Sequence, residues 1–434
     1  MIPSRRALGL LCAWLVLGAA ASFAGGLVPL WLAAAAVGGA LLAADALLVW
    51  RSPVPSVVRR VPPAISVGLW TRVHLSIENG GRRGLRLRVF DHLPPRTRSD
   101  GLPLVLALPA GTRAEALYSL WPEQRGLHPF GPVELWMRSR LGLWERRGHC
   151  PAEQSVRAYP NFRAAAGYEL LAAANRTGAL GIRRRPRRGE GLEFHQLRDY
   201  REGDSLRQID WKATARLQRA ISREYQDERD QQIVFLLDCG RRLHTRDGER
   251  SHFDAALDAV LLASHVALRQ GDAVGLLTFG GEQRWLAPRK GIGQANALLN
   301  SVYDLQSGAR SADYTAAARE LVLRVRKRGL VVLVSNLRDE DADELAASLR
   351  LLSRHHLVLL ASLREIALGE ALRKPIGGLD DALRVASVRH HLEQRREALR
   401  PLAQRGALLL DSEPQGLPIA LVNRYLDIKA AGLL

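Results

Sequence analysis

Apolar runs alternate with amphipathic segments along the second half of the chain. The runs predict strands, and these are Ile233–Asp238, Ala273–Phe279, Leu330–Ser335, Leu357–Leu363 and Ala407–Leu410. The segments between them predict helices, and these are Phe253–Gln270, Gln294–Leu305, Tyr314–Arg326, Asp341–Ser353 and Leu417–Lys429. Uniformly apolar strands separated by helices are typical of a mostly parallel sheet covered on both faces. We therefore predict a doubly wound α/β domain, whose ligands would bind at the carboxyl ends of its strands.

Residues 52–160 follow a different pattern, in which apolar and polar positions alternate over short stretches. Val73–Ile77 and Leu85–Val89 flank a turn at Glu78–Gly81, and alternating runs around an Asn-Gly turn predict a β-hairpin. Several short strands over about a hundred residues favour a small immunoglobulin-like β-sandwich. Its tryptophans are expected to pack in the core or at sheet edges rather than to line a binding face, and these are Trp121, Trp136 and Trp144.

Residues 1–51 are predominantly apolar. Leu8–Phe23 and Leu27–Trp50 are two spans separated by Gly25-Gly26, and they predict a transmembrane helical hairpin held in membrane lipid. Arginines precede and follow the hairpin, and these are Arg5, Arg6, Arg51, Arg59 and Arg60. By the positive-inside rule, both ends and the soluble domains face the cytoplasm. The alternative interpretation is a signal peptide cleaved near Ser22-Phe23-Ala24.

Asp45 is the single charged residue between Ala7 and Trp50. It lies about one and a half turns before the end of the second span, where a polar side chain reaches the membrane surface at low cost. We expect this carboxylate to be tolerated rather than functional. A contact between the two helices through Asp45 is the alternative.

Residues 161–190 lose periodicity and predict a linker. Five arginines stand within residues 183–188, and their like charges keep such a segment open. Binding to lipid headgroups is a second interpretation. Nucleic acid ranks third, because no aromatic residues alternate with the arginines to stack on bases. The net charge of +18 is consistent with this order, since the arginines are scattered along the chain rather than gathered in one tail.

Residues 191–216 combine ten charged residues with seven large apolar ones. Gly203-Asp204 predicts a turn, with Asp204 or Ser205 as the N-cap of a helix that holds Leu206, Ile209, Ala213 and Leu217 on one face. We expect the ring of Trp211 to be buried against the α/β domain. Within this segment Asp199, Asp204 and Asp210 each have an arginine nearby in sequence, so an ion-pair network is preferred to an acid–base site.

This segment resembles the signature of a bacterial family known as domain of unknown function 58, in which it precedes a von Willebrand factor A-like domain. The matching positions are Tyr200, Gly203, Asp204, Arg207, Ile209, Trp211, Ala215 and Arg216. The resemblance implies that residues 191–434 hold this segment and a von Willebrand factor A-like domain. It also implies a place at the bacterial inner membrane and a MoxR-type AAA+ ATPase as partner.

Von Willebrand factor A domains carry a metal-ion-dependent adhesion site, and the resemblance implies where its positions fall. They are Asp238, Gly240, Arg242, Thr315 and Asn336. Two serine ligands are replaced by glycine and arginine, and an aspartate is replaced by an amide. Hard oxygen ligands suit magnesium, so we expect that no metal is bound here.

Enzyme motifs are absent from the sequence. It contains no phosphate-binding loop, no H-E-x-x-H and no G-x-S-x-G. Cys12, Cys150 and Cys239 are far apart and form no C-x-x-C pair, which argues against a zinc site or a disulfide framework. We expect no cofactor and no catalytic residue.

The expected function is therefore that of a non-catalytic, membrane-anchored adaptor, acting with a MoxR-type ATPase in chaperone-like assembly or remodelling of protein complexes. The candidate partner-binding residues are Arg198, Tyr200, Gly203, Asp204, Arg207, Asp210, Trp211 and Arg216. Guanidinium groups and indoles are frequent in protein interfaces. An envelope-modifying hydrolase that uses the Arg/Asp-rich segment is the alternative, and nucleic-acid binding is a weaker one.

Overall fold

The computed structural model describes residues 1–161, 193–201, 209–226, 231–247 and 250–434. Side chains at residues 193–196 and 223–226 lie outside this description. The chain divides into two compact units, Met1–Tyr159 and Pro160–Leu434. Each unit is described by itself below.

The first unit begins with two antiparallel apolar helices, α1 (Arg5–Phe23) and α2 (Val28–Trp50). The Ser4 hydroxyl caps α1 by accepting a hydrogen bond from the backbone N–H of Ala7. Both helices are long and apolar enough to cross a membrane. Most of their side chains are exposed to the surroundings, which differs from the buried core helix of a soluble domain. The predicted pair of apolar helices is confirmed.

Twelve short strands of the first unit form a β-sandwich. In chain order they are β1 (Ile2–Pro3), β2 (Ser56–Arg60), β3 (Ala64–Ser66), β4 (Thr71–Glu78), β5 (Leu85–Asp91), β6 (Thr97–Asp100), β7 (Leu104–Leu108), β8 (Arg113–Pro122), β9 (Gly126–Phe130), β10 (Val133–Arg138), β11 (Trp144–Cys150) and β12 (Gln154–Tyr159). One sheet has the order β1-β11-β10-β5-β7, and the other has the order β2-β4-β8-β6. A small third sheet has the order β3-β12-β9.

The apolar core of the sandwich comes from alternate strand positions. Val73, Leu75 and Ile77 of β4 are fully buried, and Leu87 and Val89 of β5 join them in one cluster. This alternation is what the sequence pattern predicted, so the β-sandwich is confirmed.

The predicted hairpin around Asn79-Gly80 is wrong, although both of its strands exist. β4 pairs with β2 and β8, whereas β5 pairs with β10 and β7, so the turn connects two different sheets. The buried amide of Asn79 donates hydrogen bonds to the backbone carbonyls of Arg83, Leu108 and Pro109. These bonds fix the crossing path, because Asn79 holds the loop to the turn after β7 rather than to a neighbouring hairpin strand.

A buried ion pair joins the two sheets. The Arg59 guanidinium on β2 contacts the Asp91 carboxylate on β5, and both side chains are inaccessible to solvent. The hydroxyl of Tyr118 donates to the same carboxylate at 2.6 Å. Arg59 also donates to the Gly131 carbonyl at 2.9 Å, so the charge and its hydrogen-bonding groups are satisfied inside the sandwich.

The predicted tryptophan packing takes two forms. The ring of Trp136 lies between the guanidinium groups of Arg88 and Arg147, at 5.1 and 4.2 Å from its centroid. Trp144 donates from Nε1 to the Leu42 carbonyl of α2 at 3.0 Å. Trp121 lies under the Arg98 guanidinium, 5.0 Å from the ring centroid.

Asp45 of α2 is fully buried and contacts the sandwich rather than α1. Its carboxylate accepts hydrogen bonds from the Ser139 hydroxyl at 2.6 Å and from the backbone N–H groups of Leu141 and Leu143 at 3.1 and 3.3 Å. The turn between β10 and β11 therefore lies against the last turns of α2. The expectation of a merely tolerated, solvent-seeking carboxylate is wrong, because these three donors satisfy it internally.

The second unit, in its described residues, forms one six-stranded sheet, a two-stranded sheet before it and a pair of two-residue strands. Its strands are β13 (Glu193–Asp199), β14 (Ile221–Gln226), β15 (Gln232–Asp238), β16 (Arg246–Asp247), β17 (Arg250–Ser251), β18 (Ala273–Phe279), β19 (Trp285–Arg289), β20 (Leu330–Ser335), β21 (Leu357–Leu363) and β22 (Leu408–Ser412). Its helices are α3 (Trp211–Leu217), α4 (His252–Arg269), α5 (Ile292–Val302), α6 (Tyr314–Arg324), α7 (Ala342–Leu352), α8 (Ile366–Arg373), α9 (Leu379–Gln404) and α10 (Leu417–Ala430).

The large sheet has the strand order β19-β18-β15-β20-β21-β22, and every neighbouring pair is parallel except β19 with β18. Side chains on its two faces form two separate apolar clusters, one packed with α4 and α10, the other with α6 and α7. The predicted parallel sheet covered on both faces is confirmed. The edge strand β19 and the helices α8 and α9 were not predicted.

Candidate functional site

The carboxyl ends of β15 and β20 bring Asp238 and Ser335 together at the centre of the sheet edge. Asp238 is fully buried and accepts from the Gly240 backbone N–H at 2.7 Å and from the Ser335 hydroxyl at 2.6 Å. The Tyr314 hydroxyl lies 3.0 Å from the Ser335 hydroxyl. Burial raises the pKa of Asp238, and the two hydrogen bonds offset part of that rise.

Gly240 is the predicted counterpart of the first adhesion-site serine, and its surroundings leave no room for a side chain. A Cβ atom at this position would stand 2.7 Å from the carbonyl oxygen of Arg310. The backbone N–H of Arg241 donates to that same carbonyl at 2.8 Å. The glycine therefore lets the loop before Ala312 approach the carboxyl end of β15.

Arg242 is the predicted counterpart of the second adhesion-site serine and carries a positive charge. Its guanidinium donates to Glu340 at 2.8 Å and to Asp341 at 2.9 Å, and the side chain is only 10% exposed. Hydrogen bonds and charge from Arg242 hold the pKa of the exposed Glu340 carboxyl below its usual value. The charges of Glu340 and Asp341 are thus neutralised by a side chain of the same chain.

The remaining two predicted adhesion-site positions are Thr315 and Asn336. Thr315 is in the first turn of α6, where its backbone N–H and that of Tyr314 donate to Glu344 at 3.3 and 2.6 Å. The Asn336 amide donates to Glu365 at 2.8 Å. Burial would raise the pKa of Glu365, but this hydrogen bond and the nearby arginines keep it below its usual value.

Arg395 of α9 reaches the same edge of the sheet. It was not predicted as a site residue from the sequence. It is buried and donates to the Ser362 hydroxyl at 2.6 Å, to the Leu363 carbonyl at 2.8 Å and to Asp411 at 2.9 Å. It also borders a cavity of about 620 Å³ beneath α9. No signal identified it, since α9 is rich in charged residues and buries few side chains, among them Leu399 and Leu402.

The polar side chains at this sheet edge are therefore held by contacts with other groups of the same chain. Within the described ranges, no group of three or more His, Cys, Asp or Glu side chains could hold a metal ion. Asp238, Arg242 and Asn336 each have protein partners at hydrogen-bond distance. The chemistry of this arrangement is that of a fixed polar network at the end of the sheet.

The signature segment forms a β-hairpin with a helix inserted in its connection. β13 pairs antiparallel with β14, and Ile209 forms an isolated bridge with Ser222 of β14. Helix α3 begins at Trp211, and the Asp210 carboxylate caps it by accepting from the Ala213 N–H at 3.0 Å. Ile209 was predicted to lie on this helix, which is wrong because its backbone pairs with β14 before the helix begins.

The other predicted members of this segment are placed as follows. The backbone N–H of Tyr200 donates to the Ala220 carbonyl at 2.9 Å. Arg198 donates to the Asp199 carbonyl at 3.0 Å, and Asp199 pairs with Arg219 at 3.1 Å. Gly203, Asp204, Ser205, Leu206 and Arg207 lie outside the described residues, so the predicted turn stays a prediction. The predicted cap at 204 or 205 is wrong for the helix that holds Ala213 and Leu217, because that helix begins at Trp211 and is capped by Asp210.

Trp211 is exposed over 70% of its surface, so the prediction that its ring is buried is wrong. The reason lies in the short helix, where Ala213 is the buried residue and Trp211 points about 160° away from it around the axis. Lys212, Ala215 and Arg216 share the exposed side with Trp211. We refer to Trp211, Lys212, Ala215 and Arg216 as the α3 face.

Comparison with known proteins finds one family and several distant structures. Residues 196–392 match the family described as protein of unknown function DUF58. No curated protein matches.

Similar solved structures include an aerotolerance-related membrane protein from Bacteroides fragilis NCTC 9343, with 16% identity, 45% of this chain and 98% of that chain covered, and a TM-score of 0.29. The CARDB domain of PF1109 from Pyrococcus furiosus gives 15% identity, 25% and 90% coverage and a TM-score of 0.18. A PapD-like domain of human CEP192 gives 13% identity, 24% and 86% coverage and a TM-score of 0.20. Likenesses this distant carry no functional conclusion.

The matched residues include the hairpin β13–β14, the helix α3 and the sheet from β15 to β21. Residues 196–392 of the chain therefore match the DUF58 family of proteins of unknown function.

Proposed function

We propose that this chain is a non-catalytic, membrane-anchored interaction protein that acts with a MoxR-type AAA+ ATPase in assembling or remodelling protein complexes. The observation that carries this proposal is the exposed indole of Trp211 within the DUF58 region. An exposed indole leaves a large apolar surface in contact with water, which is unfavourable unless a partner covers it. Tryptophan is also among the residues most often found at the centre of protein interfaces.

The α3 face has the composition of a docking surface for an acidic partner. Lys212 and Arg216 lie next to each other on one side of Trp211 and Ala215 around the helix, and all four side chains are exposed. Neither Lys212 nor Arg216 makes a salt bridge with any described residue. A partner with acidic side chains around an apolar pocket would fit this arrangement by both charge and shape.

An external ATPase is the partner that the chain's own chemistry favours. The sequence has no G-x-x-x-x-G-K-[ST] phosphate-binding loop, so an ATPase of the class that uses this loop would be a second protein. The resemblance to the DUF58 signature implied a MoxR-type ATPase. The α3 face lies in the region that carries this signature, so we propose that it contacts the ATPase.

The hydrolase alternative is less well supported. Of the aspartates considered as acid–base groups, Asp210 caps α3 and Asp199 pairs with Arg219. At the sheet edge, Asp238 accepts two hydrogen bonds from within the chain. Carboxylates engaged in this way serve the fold, and they favour a binding role over catalysis.

The proposed location is the bacterial inner membrane, with the soluble domains facing the cytoplasm. Arg5 and Arg6 at the start of α1 and Arg51 after α2 support this orientation. It would bring the α3 face to the compartment that holds ATP. A reporter fused after Leu434 tests the orientation, since alkaline phosphatase activity at that position would contradict it.

A binding experiment tests the partnership. The full chain in detergent is titrated with the purified MoxR-type ATPase encoded nearest its gene, in wild-type form and as Trp211→Ala. We expect at least about a tenfold loss of affinity, typical of an interface hot spot. The matched control is Trp70→Ala, another exposed tryptophan, in the first unit. Equal affinity of wild type and Trp211→Ala would remove the α3 face from the contact.

A further inference from the structure

A basic cavity lies where the second apolar helix ends. It has a volume of about 380 Å³, is open to solvent, and is lined by the last turns of α2 and the loop between β4 and β5. The side chains that define it are Leu47, Leu48, Arg51, Arg82 and Arg83. This volume is in the range of small-ligand sites.

The cavity presents concentrated positive charge. Arg51, Arg82 and Arg83 are exposed, and none of them forms a salt bridge within the described ranges. No aspartate or glutamate lines the cavity. Three guanidinium groups without an acidic partner favour a ligand that carries phosphate or another anion.

The loop that carries two of these arginines is rigidly held. The buried side chain of Asn79 donates to the carbonyl of Arg83 at 2.8 Å and accepts from the Gly81 N–H at 3.0 Å. Its other donations, to Leu108 and Pro109, hold the loop to the sandwich. The position of Arg82 and Arg83 is thus set before any ligand arrives, which lowers the entropic cost of binding.

The carboxyl end of α2 is also compatible with a bound anion. A helix carboxyl terminus carries partial negative charge, which would repel phosphate. Here the Arg146 guanidinium donates to the carbonyls of Val49, Trp50 and Ser52 at 3.2, 2.7 and 2.7 Å. These contacts neutralise the carbonyls next to Arg51.

The opposite wall is apolar and continues along α2. Leu47 and Leu48 line it, and Leu47 is exposed. A ligand that fills both parts must have an anionic head beside the arginines and a hydrocarbon portion along the helix. We propose that this cavity binds the headgroup of an anionic phospholipid, with Arg51, Arg82 and Arg83 on the phosphate. This inference rests on the membrane anchoring in the proposed function, and it is independent of the ATPase partner.

Native mass spectrometry of the full chain from detergent micelles tests the site. Micelles contain equal amounts of phosphatidylglycerol and phosphatidylcholine, and bound lipids are identified by mass. We expect wild type to retain one phosphatidylglycerol in preference to phosphatidylcholine. The double variant Arg82→Ala/Arg83→Ala should bind it about 10- to 30-fold more weakly, given the contribution of single arginines at membrane surfaces.

Three control variants separate the site from general charge. Arg60→Ala/Arg72→Ala removes the same charge from exposed positions at the far end of β2 and β4 and should bind as wild type. Arg140→Ala, in the turn that contacts Asp45, should do the same. Arg82→Lys/Arg83→Lys keeps the charge and should retain most of the affinity. Melting temperatures verify that all variants are folded.

Several results would overturn the proposal. One is equal phosphatidylglycerol binding by wild type and Arg82→Ala/Arg83→Ala, and another is an equal loss in Arg60→Ala/Arg72→Ala. Displacement of the lipid by millimolar inorganic phosphate would show a free-anion site instead. Release of the chain from cells by carbonate without detergent would refute membrane anchoring itself, which distinguishes that failure from failure of the cavity.

Discussion

Trp211 shows how the surroundings of a single side chain decide its role. Its neighbours in sequence form an amphipathic pattern, but the helix that carries it has seven residues and buries Ala213. The indole therefore has no core to enter. Its exposure makes it a poor contributor to folding and a good candidate for binding.

Replacement of Trp211 by alanine is predicted to leave stability almost unchanged. Because the ring is 70% exposed, we expect the free energy of unfolding to change by less than about 1 kcal/mol. Thermal unfolding of the purified chain measures it. A loss of about 3–5 kcal/mol, as for a buried tryptophan, would show that the ring is covered by another part of the chain.

We predict that the ionised form of Asp238 lowers the free energy of unfolding. A carboxyl whose pKa is raised on folding imposes a full penalty above that pKa, and the penalty shrinks as the pH falls from there to the ordinary aspartate pKa. In Asp238→Asn the amide oxygen can accept from the Gly240 N–H and the amide nitrogen can donate to Ser335. The variant should therefore be at least as stable as wild type at neutral pH.

The pH dependence provides the check on this prediction. The advantage of Asp238→Asn over wild type should shrink as the pH is lowered towards the ordinary aspartate pKa, since wild type then gains its proton. Unfolding curves from neutral to acidic pH measure it. A variant that is less stable than wild type at neutral pH, with a difference that grows with pH, would mean that the ionised form is the one favoured by the fold.

Some properties of single residues could be predicted from the sequence and others could not, and the difference has a physical reason. The replacement of adhesion-site ligands by Gly240, Arg242 and Asn336 is visible directly, because residue type alone decides it. The burial of Asp45 and the exposure of Trp211 depend on contacts from distant segments, which no local pattern records.

At the scale of elements, the docking of α2 on the sandwich is the least expected feature of the first unit. Three hydrogen-bond donors of the turn Ser139–Leu143 converge on Asp45. Trp144 adds a hydrogen bond to Leu42, and Arg146 caps the helix end. The apolar helix and the sandwich are thereby joined by polar contacts rather than by a flexible connection.

Asp45→Ala is predicted to weaken this docking. It leaves the Ser139 hydroxyl and the N–H groups of Leu141 and Leu143 without their acceptor, which costs about 1–3 kcal/mol. The melting temperature of the purified chain in detergent measures the loss. Leu41→Ala, at an exposed position of the same helix, is the control and should have little effect. Equal melting temperatures of both variants and wild type would mean that the carboxylate does not secure the helix.

Elements with strong periodicity were predicted well, and elements with a mixed composition were not. Ala273–Phe279, Leu330–Ser335 and Leu357–Leu363 have the predicted bounds, because long apolar runs end where burial ends. Helix α9 was not predicted, since its few buried side chains all lie towards its carboxyl end. The crossing between β4 and β5 was misread as a hairpin, because an Asn-Gly turn does not reveal which strands pair.

At the scale of the whole molecule, side chains of the α/β domain hydrogen-bond to one another at the carboxyl edge of the sheet. Arg242 supplies positive charge to Glu340 and Asp341. We predict that millimolar magnesium or manganese leaves the melting temperature of the full chain unchanged. A stabilisation of more than about 2 kcal/mol would correspond to binding far tighter than the metal concentration and would contradict this prediction.

The central claim is that the α3 face contacts an ATPase, and site-specific photocrosslinking in living cells tests it most directly. A photoreactive phenylalanine analogue is placed at position 211, and at position 323, which is equally exposed on α6 and serves as control. Our account predicts a crosslink to a MoxR-type AAA+ ATPase from position 211 and none from position 323. The absence of that ATPase among the crosslinks from position 211, in cells where the chain is folded and in the membrane, would contradict it.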